Sequence, residues 1–316
     1  MPRFGRVVPR DFCTARSLIF LRELTFTKMH GIGNDFVVAD FVSPNRPPFT
    51  VEEMQQASPF LCDRKFGVGA DITFLVLPGV EGADFAMRMF NPDGSEAEMC
   101  GNGIRCFAKF VYDRGYTRKT TVTAHTLAGI KTLLLTIGTD NKVSQVTVDM
   151  GKPGMTRADL PMEGTPTDTI IGDGVTIGGE ETIKITGISM GNPHVIYFET
   201  PATEESINRL GPVLENHPLF PRRTNVHCVE VISPSEIKML TWERGAGRTL
   251  ACGTGASASA VASHLNGFTG RQVLVHLAGG DLTIHWQDND SVMMTGPAAE
   301  VFTATIVIPD GAASQR

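Results

Sequence analysis

The chain has 316 residues, 41% hydrophobic and 20% charged, enough to bury the core of two ordinary domains or one large one. A formal net charge of −6 with no block of consecutive Lys/Arg argues against nucleic acid as the main partner, and no stretch approaches the ~18 apolar residues that cross a membrane. The six cysteines, at 13, 62, 100, 106, 228 and 252, form no CxxC and no Cys/His cluster of zinc-ligand spacing, so a reducing compartment is expected and a metal is not.

Residues 1–23 stand apart. Arg3, Arg6, Arg10, Arg16 and Arg22 are set against only Asp11 and Glu23. The segment is expected to be an N-terminal extension, disordered or an Arg-rich, acid-poor targeting remnant. The expected location follows: cytoplasmic, or plastid if the extension targets. From Leu24 the texture is one of short strands. "LTFTKMH" alternates apolar and polar residues. "VEEMQQASPFLCDRKF", residues 51–66, reads as a helix. After Cys100, Ile104, Phe107, Ala108 and Val111 fall at helical spacing, with Gly115 as a stop. "KTLLLTIGTDNKVSQVTVDMG" is a hairpin turning at Thr139 to Asn141. "ATEESINRLGPVLENH" is a helix expected to break at Gly211-Pro212. "VHCVEVIS" and "EIKMLTWE" are strands. After Cys252, "GASASAVASHLNG" is a helix made almost wholly of Ala and Ser, which neighbours can approach from every side, as inside a curved sheet. "RQVLVHLAGGDLTIHWQ" is a hairpin about Gly279-Gly280, and "EVFTATIVI" is a last strand. With no βαβ rhythm, a doubly wound parallel sheet is not expected.

The chain repeats itself. Cys-Gly-polar-Gly occurs at Cys100 and at Cys252, each time opening a helix. Each copy has a Gly-Asn upstream (Asn34 in "GND", Asn192 in "GNPH") and a polar strand end nine residues before the cysteine (Asn91, Glu243). Two similar halves imply a duplication, a pseudo-twofold axis and a cleft between the halves. A helix N-terminus offers up to four free N–H groups and about half a positive charge, which is expected to lower a thiol's pKa there. Gly101, Gly103, Gly253 and Gly255 leave those N–H groups open to an anion. Two such ends facing one another suit inversion of a carbon that bears a hydrogen. One sulfur removes the proton from one face, the other delivers a proton to the opposite face, and preorganised donors hold the adjoining carboxylate. A cysteine hydrolase with His194 or His264 as base leaves the second motif unexplained. A Cys100–Cys252 disulfide switch is compatible with the same pairing. There is no P-loop, no dinucleotide fingerprint and no EF-hand.

The ordered motifs "KMHGIGNDF", "MFNPDGSEAEMCGNGIRCFAKF", "SMGNPH", "WERGAGRTLACGTGA" and "MTGPA", from about Thr25 to Val307, resemble the diaminopimelate epimerase family, in a wider superfamily with the proline racemases. The resemblance implies an α/β fold of the α+β type. Two pseudo-symmetric domains would each form a rolled, mainly antiparallel sheet around a central helix, with the active site in the cleft between them. The expected division is 1–23, an N-terminal half of 24–146 plus 297–309, a C-terminal half of 147–296, and a tail of 310–316. The implied reaction interconverts LL- and meso-2,6-diaminopimelate in lysine biosynthesis, without cofactor or metal. The implied partners are a small-molecule substrate and a second copy of the chain as a homodimer. The implied catalytic residues are Cys100 and Cys252, with Glu243 and with His194 tuning the thiols. Gly101, Asn102, Gly253 and Thr254 would hold the reacting carboxylate. Asn34, Asn91, Asn192, Asn225, Glu243 and Arg244 would complete substrate binding, Arg244 gripping the distal carboxylate. Proline racemase-like isomerases, which tend to carry His where this chain has Asn102, give the alternative activity. A redox or ligand-binding protein on the same fold is the alternative of another class.

Each residue also has a plainer reading. Asn91 and Asn192 precede proline and suit turns. Glu243-Arg244 suits a surface pair, and His194 a satisfied core histidine. Cys62, Cys106 and Cys228 read as core. "GVGADI" places Ile72 where the family pattern expects Gly or Gln, which weakens any role for Asp71. "VHC" after Asn225 is also a departure.

Overall fold

The computed structural model describes residues 22–179 and 181–309. The readings of residues 1–21 and of the tail 310–316 fall outside them. Arg22 and Glu23, expected in the extension, instead open the first strand.

The first half contains β1 (Arg22–Gly31), β2 (Asn34–Asp40), α1 (Val51–Cys62), β3 (Ile72–Pro78), β4 (Phe85–Phe90), β5 (Glu96–Ala97), α2 (Gly101–Asp113), β6 (Thr121–Thr126), β7 (Gly129–Ile137) and β8 (Val143–Asp149). The second contains β9 (Ile171–Ile177), β10 (Glu181–Ser189), β11 (Pro193–Phe198), α3 (Glu204–Glu215), β12 (Asn225–Ser233), β13 (Glu236–Glu243), β14 (Gly247–Thr249), α4 (Gly253–Leu265), β15 (Gln272–Leu277), β16 (Gly280–Trp286) and β17 (Val292–Gly296). The last strand, β18 (Ala299–Ile308), pairs antiparallel with β1, from Arg22 against Ile308 to His30 against Ala299.

The halves correspond strand for strand. One runs β18-β1-β2-β3-β4-β6-β7-β8, the other β9-β10-β11-β12-β13-β15-β16-β17. In each, the pairing is parallel only at the two equivalent places: β2–β3 and β4–β6, β11–β12 and β13–β15. The short strands β5 and β14 pair with β4 and β13 and lead to the two central helices. β8 pairs with β7 and with β17 and so joins the halves; residues 146 and 147 both lie inside it.

Local chemistry explains the helices. Thr50 and Glu53 form a reciprocal capping box at α1. That helix stops at Cys62 rather than 66, because the Asp63 carboxylate accepts from the N–H groups of Lys65 and Phe66 and turns the chain. α3 runs unbroken through Gly211-Pro212, against the expected break. Asn208, whose carbonyl loses its N–H partner at Pro212, is exposed and can be hydrated. Gly211 packs so closely on Trp242 that a Cβ there would lie 2.6 Å from the ring.

α1 covers the outer face of β3, and α3 that of β12 and β13, each over its own apolar cluster. α2 and α4 lie inside, in one continuous core. In α4, Gly253 and Gly255 to Ser263 are buried, as the run of small residues predicts. Its buried Ser257 and Ser263 donate to carbonyls four residues back. Among the described residues, no helix is long and apolar enough to cross a membrane.

Candidate active site

Cys100 and Cys252 occupy equivalent positions, the N-caps of α2 and α4, in extended conformation (φ −135°, ψ 116° and φ −130°, ψ 103°). Both are free thiols lining one cavity of about 630 Å³. The two helix ends abut. A Cβ on Gly101 would lie 2.9 Å from Met294 Cε, and one on Gly253 3.0 Å from Met294 Sδ and 3.7 Å from Asn102 Oδ1. Glycine at both positions therefore lets the helix ends share a single methionine.

Of the sequence-predicted residues, Asn34, Asn91, Cys100, Gly101, Asn102, Asn192, Glu243, Cys252, Gly253 and Thr254 line this cavity. Ile72 lines it too. Asn91 also forms its turn: its amide nitrogen donates to Ser95 Oγ at 2.9 Å, so the plain and functional readings coexist. Three residues are not brought to the cavity wall. His194 is fully buried behind it. Asn225 is buried and its amide is engaged at both ends, donating to Pro193 O and accepting the Arg244 N–H, each at 2.9 Å. Arg244 is exposed, and its guanidinium donates to Arg222 O at 3.3 Å.

In the first half, fully buried Arg105 donates to Asn102 Oδ1 at 3.0 Å. Asn102 Nδ2 then faces Asn34 Oδ1 at 3.4 Å, which also accepts from the Cys100 thiol at 3.4 Å. Asn34 Nδ2 donates to Asp71 Oδ2 at 2.8 Å, and Arg64 holds Asp71 through its other oxygen. Asp71 thus acts on the site through Asn34. In the second half, Thr241, His227, His194, Asn192, Thr254 and Cys252 form a corresponding chain of contacts. His194, His227 and Cys252 place one ligand atom each within 4.8 Å of one another, but the facing nitrogens of the two rings are already hydrogen-bonded at 2.9 Å. His264, the other candidate base, sits in the last turn of α4, bonded to Thr269 O.

The expectation of lowered thiol pKa values is not met. Burial pushes the Cys100 thiol up, and the N–H groups of Gly103 and Asn102 offset this only in part. Burial, and then the nearby Glu243 charge, push Cys252 well above the ordinary thiol value. Burial likewise raises Glu243, whose Oε1 accepts from the Thr249 hydroxyl at 2.6 Å. The sequence shows the helix end but not the desolvation that outweighs it. Burial holds both imidazoles neutral, pulling His194 well down and His227 to about 3. The core readings of Cys62, Cys106 and Cys228 hold: all three are buried.

Sequence reasoning missed Lys131, Lys152 and Glu98, which line the same cavity, and Arg105 beneath it. Lys131 and Lys152 lie on and just after hairpin strands with no motif around them, so only the fold marks them. With Glu98 and Glu243 they give the cavity both signs of charge, as a zwitterionic ligand requires.

The chain matches the family described as diaminopimelate epimerase over residues 26–156 and 186–301. It is 49% identical over 278 residues to a diaminopimelate epimerase of Pelotomaculum thermopropionicum, covering 88% of this chain and 97% of that one. It is also 49% identical over 286 residues to one of Methanococcus maripaludis, covering 90% of this chain and 100% of that one. Among solved structures, a hydroxyproline epimerase from Agrobacterium vitis with bound trans-4-hydroxy-L-proline superposes with TM-score 0.66 at 17% identity, over 94% of this chain and 96% of that one. A PhzF-family phenazine biosynthesis protein of Bacillus anthracis gives TM-score 0.66 at 17% identity, over 91% of this chain and all of that one. These structures share the fold, an α/β architecture dominated by an antiparallel sheet. By its sequence match along most of its length, the chain belongs to the diaminopimelate epimerase family.

Proposed function

We propose that this protein interconverts LL- and meso-2,6-diaminopimelate by a two-thiol acid–base mechanism that needs no cofactor. The observation that carries the reading is the placement of two cysteines, each at a helix N-cap, on one cavity whose wall is formed by the abutting helix ends.

One sulfur, as thiolate, takes the α-proton from one face of the carbon. The electron pair left behind is delocalised into the adjoining carboxylate. The other sulfur, as thiol, gives its proton to the opposite face. The thiol and thiolate have then exchanged roles, and the reverse reaction uses them in the opposite order. The N–H groups of Gly101, Asn102, Gly253 and Thr254 are the donors for that carboxylate at the helix ends. The raised thiol pKa values fit the task. A carbon acid this weak needs a strong base, and a desolvated thiolate is a stronger base than a solvated one. Asn34, Asn91, Asn192 and Glu243 meet the rest of the substrate. Lys131 and Lys152 supply the cations for its distal carboxylate. Asn225 and Arg244 act from outside the cavity wall, Asn225 by holding the Arg244 backbone.

The same reading divides the chain into two halves joined through β8 and β17, with β18 returning to the first. It includes a homodimer and a cytoplasmic location, or a plastid one if residues 1–23 target.

The test is incubation with LL-diaminopimelate in deuterated water under reducing conditions. The expected product is meso-diaminopimelate carrying deuterium at the inverted carbon. Cys100→Ser and Cys252→Ala should each lower kcat by roughly 10²–10⁴-fold, the scale of an acid–base group. Full activity in either variant ends the two-thiol reading. Turnover of hydroxyproline instead of diaminopimelate favours the second reading, a racemase of the kind the Agrobacterium vitis neighbour represents.

A further inference from the structure

We propose that His227 is a positioning residue for Cys252: through His194 it fixes which end of the Asn192 amide meets Thr254, and so directs the Thr254 hydroxyl at the Cys252 sulfur. The inference rests on the reading above that Cys252 is one of the two working thiols. His227 is fully buried in β12 and is not part of the cavity lining.

With the Asn192 amide oriented as in the structure, the chain of contacts has one consistent set of protons. Asn192 Nδ2 lies 3.5 Å from Thr254 Oγ1 and its Oδ1 lies 2.9 Å from His194 Nε2. An amide oxygen only accepts, so His194 carries its proton on Nε2 and its Nδ1 is bare. That bare nitrogen faces His227 Nε2 at 2.9 Å, which must therefore be the donor. His227 Nδ1 is then bare in turn and accepts the Thr241 hydroxyl proton at 3.2 Å. With one Thr254 lone pair taken by Asn192, the Thr254 hydroxyl proton is free to point at Cys252 Sγ, 3.6 Å away. The space for this arrangement is specific. The His227 ring fills the side-chain position of Gly255, where a Cβ would lie 2.3 Å from its Cε1 and 3.1 Å from Cys252 Sγ.

The two halves thus treat equivalent asparagines in opposite ways. Asn34 turns its oxygen to the Cys100 thiol, and charged groups enforce it: Arg105 on Asn102 and Asp71 on Asn34. Asn192 turns its nitrogen toward Thr254, and its side-chain partners among the described residues, Thr254 and His194, are uncharged. The amide orientation and the tautomers of the two neutral rings are coupled: the flipped amide would require the Nδ1–H form of both rings, so His227 bears on Asn192 through His194. The result is an acceptor beside one sulfur and a donor aimed at the other, an asymmetry that the two Cys-Gly-x-Gly sequences do not reveal.

Long-range ¹H–¹⁵N correlation spectra of the full-length, ¹⁵N-histidine-labelled protein without substrate should show the Nε2–H tautomer for both His194 and His227. A resting Nδ1–H tautomer on either ring overturns the proposal. In a Cys100→Ser background, His227→Phe should slow alkylation of Cys252 by iodoacetamide about tenfold, the scale of one hydrogen bond to a charged group. With Cys100 intact, the same change should lower kcat by a similar factor and leave KM within about twofold. His227→Gln, whose amide nitrogen can donate to His194 Nδ1, should recover most of both. Should His227→Phe fail to fold, Thr241→Val carries the test by freeing the His227 tautomer, with the same slowing expected. A folded His227→Phe or Thr241→Val with unchanged Cys252 alkylation and kcat overturns the proposal. So does a His227→Phe change that, in a Cys252→Ala background, slows alkylation of Cys100 by the same factor. If the protein lacks epimerase activity altogether, the functional reading fails, whereas tautomers and alkylation still decide this proposal.

Discussion

Arg105 is a cation at full burial that no carboxylate meets among the described residues. Its donors go instead to Gly101 O at 3.1 Å, Pro297 O at 3.2 Å and Asn102 Oδ1 at 3.0 Å. It therefore ties the start of α2 to the segment that leads into β18, and it turns Asn102 toward Asn34. Burial of the charge pulls its pKa down, a cost accepted where three acceptors need donors at once. Arg105→Leu should destabilise the fold by about 3 kcal/mol, because it strands those acceptors away from water. A shift in the urea midpoint measures this. A stability change within about 0.5 kcal/mol would show that the site, and not Arg105, holds the helix end.

At the scale of elements, α3 shows how tertiary packing overrides a local break signal. Gly211-Pro212 should end a helix, yet the helix continues, and the missing side chain of Gly211 lets it lie against Trp242. The Trp242 indole nitrogen in turn donates to Glu215 Oε2 at 2.8 Å, which fastens the C-terminal turn of α3 to β13. Gly211→Ala improves helix propensity by about 1 kcal/mol but drives a methyl group to 2.6 Å from the indole. Overpacking of this kind costs about 1–3 kcal/mol, so thermal unfolding should shift downward despite the better helix former. An increase in melting temperature would mean that α3 slides freely over β13. In the central helices the outcome is the reverse. α2 and α4 follow their sequence patterns closely, because apolar periodicity in one and small residues in the other already describe an enclosed helix.

For the whole molecule, buried titratable groups set the response to acid. His194 and His227 have folded pKa values below the ordinary 6.5, His227 at about 3. The unfolded chain takes up protons at these rings before the folded one does, so stability is lost as pH falls from about 6.5 toward 3, by up to ~1.4 kcal/mol per pH unit for each ring. At Asp35, burial alone would raise the carboxyl, but hydrogen bonds from Arg64 and Lys28 outweigh it and bring the pKa from 3.8 to about 2. Its contribution is present above about pH 4 and lost as pH falls toward about 2. Chemical denaturation across pH 3–8 should therefore show a decline that begins near 6.5, before the carboxylates titrate. His227→Gln should flatten the upper part of that decline. A flat profile down to pH 5 would mean that the two rings are charged or exposed.

Much of this was legible in the sequence because it is local. Hairpin turns, capping residues and helical spacing are written within a few residues of one another. So are the two Cys-Gly-x-Gly helix starts, whose recurrence with Asn34 and Asn192 upstream announced two matching halves. The chain by itself marked most of the elements and thirteen candidate residues, ten of which line the cavity; it did not mark which three would not. Only the tertiary structure decided the environment of those residues, since burial and partners come from segments far apart in the chain. The thiols rise in pKa rather than fall because the folded cavity removes water from both helix ends. Asn225 and Arg244 leave the cavity wall because β11 and the turn after β13 claim them. Lys131, on β7, and Lys152, just after β8, join it because the fold brings these segments to the cavity. The amide of Asn192 takes its orientation from His227 and Thr241, 35 and 49 residues away. No spacing rule reaches that far, and only the pairing of β11 with β12 and of β12 with β13 brings those side chains together.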